Sequence, residues 1–300
     1  MSQVPQSNPQ LPPADQPNPL LAGFQVKMLS FIGNAKKVYV AGDGPAVIVL
    51  TEMPGISTQV IRFAKWVIDA GFTVYLPSLF GVDGAVPNAE DGAAILKRAC
   101  VSAEFRAFAS NEPSPVTQWL RQLAKHAHQE CGGIGVGAIG MCFTGNFALT
   151  MMLESVMLAP VLCQPSLPFD DPSAIIMSDD ELYAVAARLE QDDLSVLAYR
   201  FEGDRYCRAE RFDAYSKALG KRFVAKVLPD SAAHPHPPPF FEKVVACPHS
   251  VVTAHLVDEQ GQPTIAARDE ILQFFRSKLL TTTDATLPET ESEAVPSNIQ

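Results

Sequence analysis

Short apolar runs alternate with longer stretches of helical periodicity along most of this chain. Residues 38–40 and 46–51 have the apolar character of strands and are parted by the turn signal Gly42-Asp43-Gly44-Pro45. Over 60–70 the apolar positions Val60, Phe63, Ala64, Val67 and Ile68 share one helical face, and Gly71 stands where a helix ends. Residues 72–77 predict the next strand, 78–88 a loop, 90–98 the start of a helix, and 115–128 a further helix. A strand over 134–139 follows, then a helix-compatible apolar segment and a strand over 159–164 that ends at a proline. Strand 195–201, helix 210–218 and strand 223–228 come next. A closing helix over 265–279 has apolar positions at Ile271, Phe274, Phe275 and Leu279. Strands alternating with helices in this way predict an α/β fold, a mainly parallel central sheet with helices on both faces.

Composition narrows the setting. The chain has 300 residues, 47% of them apolar, enough for a full core. Its net charge of −10, with no basic run of five or more, argues against nucleic acid as a partner. Residues 1–29, Pro-, Gln- and Asn-rich at their start, read as a disordered tail without the marks of a signal peptide. Residues 280–300, rich in Thr, Ser, Pro and Glu, read as a second, acidic tail, leaving 30–279 as the folded domain. The six cysteines have no Cys-x-x-Cys spacing, so they read as reduced thiols of a cytoplasmic protein. Between Ile134 and Cys163 the sole formal charge is Glu154, yet six glycines over 132–145 and Pro160 make two buried strands and a helix a better reading than a membrane span.

Residues 134–152 carry the strongest chemical signal. An apolar, Gly-rich run enters Gly140-Met141-Cys142-Phe143-Thr144-Gly145 and leaves as a helix-compatible segment. A strand that breaks sharply into a helix around a nucleophile flanked by small residues is the nucleophile elbow of α/β-hydrolases, here with cysteine in the serine position. The strained turn brings strand and helix backbones close, which asks for small side chains at positions 140, 144 and 145. A thiol at the start of a helix would also feel a positive dipole end that favours the thiolate. At this point a buried cysteine packing as a small hydrophobe remains the alternative.

A nucleophile of this kind needs an acid and a histidine later in the chain, each on a loop after a strand. The strand over 195–201 runs into Glu202-Gly203-Asp204, which places Asp204 where the acid is expected. Beyond the last strand lie His234, His236, His249 and His255. His234 and His236 sit in a Pro-rich stretch suited to a surface excursion, so His249 is preferred, with His234 as the alternative.

With these residues in view, the chain resembles the dienelactone hydrolase family of α/β-hydrolases over roughly residues 38–279. Glu52-Met53-Pro54-Gly55 is similar to the family's Glu-x-x-Gly segment, residues 140–145 to its elbow, Gly203-Asp204 to its acid turn and His249-Ser250 to its His-Ser pair. The resemblance implies hydrolysis of an ester or enol-lactone bond by Cys142, His249 and Asp204 through a thioester. It implies that Glu52 contacts the thiol at rest, and that the backbone N–H groups of Met53 and Phe143 hold the oxyanion. Asp230 to Pro248 looks like an insertion, and Thr253 stands where the family can place an arginine. Arg98 and Arg106 lie in the region of its other substrate-binding arginine. A small-molecule ester or lactone is thus the expected partner, with no membrane, no metal and no organic cofactor. A general carboxylesterase or thioesterase, and a non-catalytic homologue acting as a binding protein, are the rival readings.

Overall fold

The computed structural model describes residues 18–85, 88–102 and 114–280. Eight strands form one sheet in the order β1-β2-β4-β3-β5-β6-β7-β8. They are β1 (Gln25–Phe31), β2 (Asn34–Ala41), β3 (Ala46–Leu50), β4 (Thr73–Pro77), β5 (Val136–Met141), β6 (Met157–Cys163), β7 (Val196–Phe201) and β8 (Phe223–Leu228). β1 pairs antiparallel with β2, and β2 with β4, whereas every pairing from β4 to β8 is parallel. This is the mainly parallel α/β architecture that the alternation predicts.

Side chains along each strand point alternately to two cores. In β3, Ala46, Ile48 and Leu50 join one apolar cluster and Val47 and Val49 the other. The first cluster is covered by α2 (Ala89–Val101), α3 (Pro115–Cys131), α5 (Asp179–Gln191) and α6 (Ala209–Leu219), joined by the short α4 (Phe147–Thr150). The second lies under α1 (Thr58–Asp69) and α7 (Pro263–Leu279). Helix starts follow local chemistry: Ser57 accepts from the Val60 N–H and Ser114 from the Thr117 N–H, each closing a first turn.

Three expectations need correction. Ordered backbone begins inside the stretch assigned to the N-terminal tail, with β1 starting at Gln25. β1 is an edge strand with no buried residue, so it carries little apolar pattern to read. Residues 1–17 and 281–300, the remainder of the two tail assignments, lie outside the described residues. Helix α5 is absent from the sequence reading because only Val185 and Leu189 of its 13 residues are buried. The signal that could have found it is Ser178 followed by Asp179, Asp180 and Glu181, a capping serine before an acidic first turn. Finally, the segment after the elbow is not one long helix. A 3-10 turn (Cys142–Thr144) leads to α4, whose 4 residues are too few for an appreciable macrodipole.

The apolar stretch from residue 134 to 163 is β5, the elbow and β6, and its charge, Glu154, is held by Arg121 at 2.8 Å and Lys125 at 2.8 Å. Among the described residues no helix is long and apolar enough to cross a membrane. The Asp230–Pro248 stretch is more than a surface excursion: Phe240 and Phe241 are buried in it. Phe240 packs so closely on α2 that a Cβ at Gly92 would lie 2.4 Å from its ring.

Candidate active site

Because β3 to β8 run parallel, their carboxyl ends open onto one edge of the sheet, and the loops leaving them meet there. Glu52 and Met53 follow β3, Cys142 follows β5, Gln164 and Ser166 follow β6, Asp204 follows β7, and the chain after β8 leads to His249.

Cys142 sits at the elbow with φ of +54°, a left-handed conformation that lifts its side chain out of the strand's alternation. The close approach expected of an elbow is real. A Cβ at Gly140 would lie 2.2 Å from the Thr144 carbonyl oxygen, and one at Gly145 would lie 2.4 Å from Pro165 Cα. Thr144 earns its place through its hydroxyl, which accepts the Met141 N–H at 3.0 Å and lies 3.1 Å from the Thr51 carbonyl oxygen, tying the elbow to the end of β3. The Cys142 carbonyl accepts from Gly145 N–H and Ser166 N–H, each at 3.0 Å. The turn is held from both sides.

His249 is buried, with Nδ1 2.7 Å from Asp204 Oδ2, and its ring interacts with the Cys142 sulfur. Asp204 is oriented in turn by the Tyr206 and Cys207 N–H groups, which donate to Oδ1 at 2.9 and 3.0 Å. The other ring nitrogen of His249, Nε2, has Ser166 Oγ 3.5 Å away. His234 is not part of this group. Its Nδ1 accepts from the His236 N–H at 3.1 Å, and it lines a cavity of about 410 Å³ that includes none of Cys142, Asp204 or His249.

Glu52, expected against the thiol, has its carboxylate committed elsewhere. Ser250 Oγ donates to Oε2 at 2.5 Å, Gln164 Nε2 donates to the same oxygen at 3.4 Å, and Thr253 Oγ1 donates to Oε1. Gln164 also accepts the Val251 N–H at 3.3 Å, and His255 Nδ1 accepts the Ser250 N–H at 3.1 Å. The loop that carries His249 is therefore braced by residues from β3, from β6 and from its own far end. Gln164 and Ser166 were not read as site residues, Thr253 was read only as the place of an absent arginine, and His255 only as one of four histidines. For Gln164 the available signal is a polar side chain closing an otherwise apolar strand.

The buried charges respond to one another. Burial pulls the His249 imidazole down, but Asp204 and the Cys142 sulfur outweigh it and hold the ring well above its ordinary pKa. Burial pushes Glu52 above the usual carboxylate range, against the opposing donors Ser250 and Thr253, the charge of His249 and the donor Gln164. His255 is driven down to about 3, first by burial and then by the neighbouring His249 charge, which suits a ring that accepts a backbone N–H.

The remaining candidates are less central. The Met53 and Phe143 backbones flank Glu52 and Cys142, both side chains being buried. Arg98 is exposed near the end of α2, and Arg106 lies outside the described residues. Among the described residues no group of three or more His, Cys, Asp or Glu side chains has the arrangement of a metal site.

Residues 31–170 match the model of the dienelactone hydrolase family, a family of hydrolases, so the resemblance read from the motifs holds over that span. The span includes Glu52 and the elbow but ends before Asp204 and His249. None of the curated proteins matches the sequence. Solved structures share the fold. A dienelactone hydrolase from Anabaena variabilis is 13% identical with a TM-score of 0.51, the match covering 86% of this chain and 99% of that one. A dienelactone hydrolase assignment from Klebsiella pneumoniae is 15% identical with a TM-score of 0.54, covering 85% and 97%. A dienelactone hydrolase-like promiscuous phosphotriesterase, P91, from metagenomic libraries is 17% identical with a TM-score of 0.54, covering 86% and 100%.

Proposed function

We propose that this chain hydrolyses an ester-type acyl bond, an ester or enol lactone, with Cys142 as nucleophile, His249 as proton carrier and Asp204 as the group that orients it. The observation that carries the reading is the 2.7 Å contact between Asp204 Oδ2 and His249 Nδ1, on a buried ring whose ionisation also responds to the Cys142 sulfur. A free thiol, with a pKa of about 8.5, is a poor nucleophile at neutral pH. An imidazole held above its ordinary pKa takes the thiol proton and remains beside the thiolate as its counter-charge.

The thiolate attacks the substrate carbonyl, and a carbon–sulfur bond forms. The tetrahedral oxyanion is held by the Met53 and Phe143 backbone N–H groups, a contribution of about 3 kcal/mol per donor in comparable sites. The carbon–oxygen bond then breaks as His249 gives its proton to the departing oxygen. Water next loses a proton to His249 and attacks the thioester, and the carbon–sulfur bond breaks to return the thiolate. A thiolate is itself a good leaving group, so activated esters and enol lactones suit this nucleophile better than amides.

Glu52 acts here as a brace for the histidine loop. To lie against the thiol as a resting-state gate, its carboxylate would have to leave Ser250, Thr253 and Gln164. The reading is tested with Cys142→Ala and p-nitrophenyl acetate and an enol lactone as substrates. Loss of both activities is the expected outcome, and unchanged hydrolysis removes Cys142 from the mechanism.

A further inference from the structure

Besides Asp204 and the Cys142 sulfur, a further polar atom approaches the His249 ring. Ser166 Oγ lies 3.5 Å from Nε2, the nitrogen opposite the one that faces Asp204. Ser166 is completely buried, and the mechanism above gives it no task.

Backbone geometry fixes where this hydroxyl sits. Gln164, just past the end of β6, has φ of +36°, a left-handed conformation that turns the chain off the strand. The Gln164 N–H still donates to Tyr199 O at 2.7 Å, so the turn starts from anchored backbone. Two residues on, the Ser166 N–H donates to the Cys142 carbonyl at 3.0 Å, which holds the residue against the elbow. Its hydroxyl proton goes to Gln164 O at 2.8 Å. Oγ therefore has only lone pairs left for His249.

A hydroxyl whose proton is already committed can only accept, and this makes it selective for one charge state of the ring. Asp204 Oδ2, 2.7 Å from Nδ1, takes the proton on that nitrogen. A neutral ring then turns the Nε2 lone pair toward Oγ, and two lone pairs face each other. In the imidazolium Nε2 also bears a proton, which Oγ accepts as a hydrogen bond. The 3.5 Å separation is at the long end for such a bond, and contacts of this kind shorten once the charge has formed.

We infer that Ser166 is a positioning residue that steadies the transferred proton on His249 Nε2 while the sulfur is engaged with the acyl carbon. The S–H bond of Cys142 breaks, the Nε2–H bond forms, and Oγ holds that N–H until it passes to the departing oxygen. This rests on the reading of Cys142 as nucleophile and adds a group that favours the charged ring. The titratable groups around the ring are Asp204, Cys142, Glu52, His255 and Tyr206, and removing the Ser166 hydroxyl leaves all of them in place.

The test reads the ring directly, by NMR of the full-length protein carrying isotope-labelled histidine. In Cys142→Ala the sulfur is gone, and the His249 titration reports the remaining neighbours. Adding Ser166→Ala should lower its midpoint by about one pH unit, whereas adding Ser166→Thr, which keeps the hydroxyl, should leave it within about 0.3 unit. In protein with Cys142 intact, Ser166→Ala should lower kcat for p-nitrophenyl acetate by about fivefold with KM within about twofold. A midpoint that is unmoved or raised in Ser166→Ala would overturn the inference. An equal loss of kcat in a folded Ser166→Thr would do the same. If Ser166→Thr does not fold, the Ser166→Ala midpoint decides. Because the titration needs no turnover, the two failures are distinguishable. Undiminished hydrolysis in Cys142→Ala sinks the mechanism and leaves the midpoint shift standing, whereas an unmoved midpoint with hydrolysis lost in Cys142→Ala sinks only the role of Ser166.

Discussion

Two buried thiols stand at the ends of neighbouring strands and differ in what governs reactivity. Cys163 closes β6 in register with Met141 of β5, within regular extended backbone. Its charged neighbour is the Glu52 carboxylate, and burial together with that anion pushes the thiol far above its ordinary pKa. Cys142 comes one residue after Met141, on a left-handed turn, and faces His249, whose ring is held well above its own ordinary pKa. Both side chains are removed from water, yet one meets an anion and the other a cation. Burial makes a thiol inert unless a partner of opposite charge is built in beside it.

The sharpest way to break this contrast is to remove each sulfur in turn. Cys142→Ala should lower kcat/KM for an activated ester by about 10³-fold or more, whereas Cys163→Ala should change it by less than about threefold. A comparable loss in both variants would show that the two thiols are not distinguished by their partners.

The next largest effect should come from removing the cation. In His249→Gln, alkylation of Cys142 at pH 6.5 should slow by about 100-fold. Cys100, exposed on α2, is mapped in the same digest. An unchanged rate would mean that His249 does not activate the thiol.

Glu52→Gln sharpens the role of the anion beside Cys163. A carboxamide cannot accept from Ser250 and Thr253 at both ends, so the histidine loop loses part of its brace. Hydrolysis should fall by about tenfold and alkylation of Cys142 should fall with it. A rise in alkylation would instead identify Glu52 as a gate on the thiol.

The smallest effect concerns stability against pH. His255 has a folded pKa of about 3, below its unfolded value, so the stability it contributes is present above about 6.5 and is lost as pH falls from there toward about 3. Thermal unfolding from pH 7 to 4 should show a steeper fall in Tm for the wild type than for His255→Gln; identical slopes would contradict this.

How much of this was legible in the sequence depends on how local each constraint is. The elbow could be read because its demands fall on adjacent positions, and the contacts a Cβ would make at Gly140 and Gly145 explain why. Asp204 was legible as the turn after an apolar strand. His249 could be chosen over His234 by its place before the closing helix, and the structure sets it against Asp204. The brace was not legible, since Ser250 and Glu52 are 198 positions apart and Gln164 and Glu52 112. No periodicity encodes such pairings. β1 was missed for the opposite reason, because an exposed edge strand leaves almost no apolar pattern.

The central claim is that the acyl group passes through the sulfur of Cys142. Acid quenching of the protein during turnover of p-nitrophenyl benzoate, followed by peptide mass analysis, measures this directly. The account predicts a benzoyl mass increment on the peptide that carries Cys142. An increment on the Ser166 peptide instead, or turnover with no acyl-protein at any quench time and undiminished in Cys142→Ala, would contradict it.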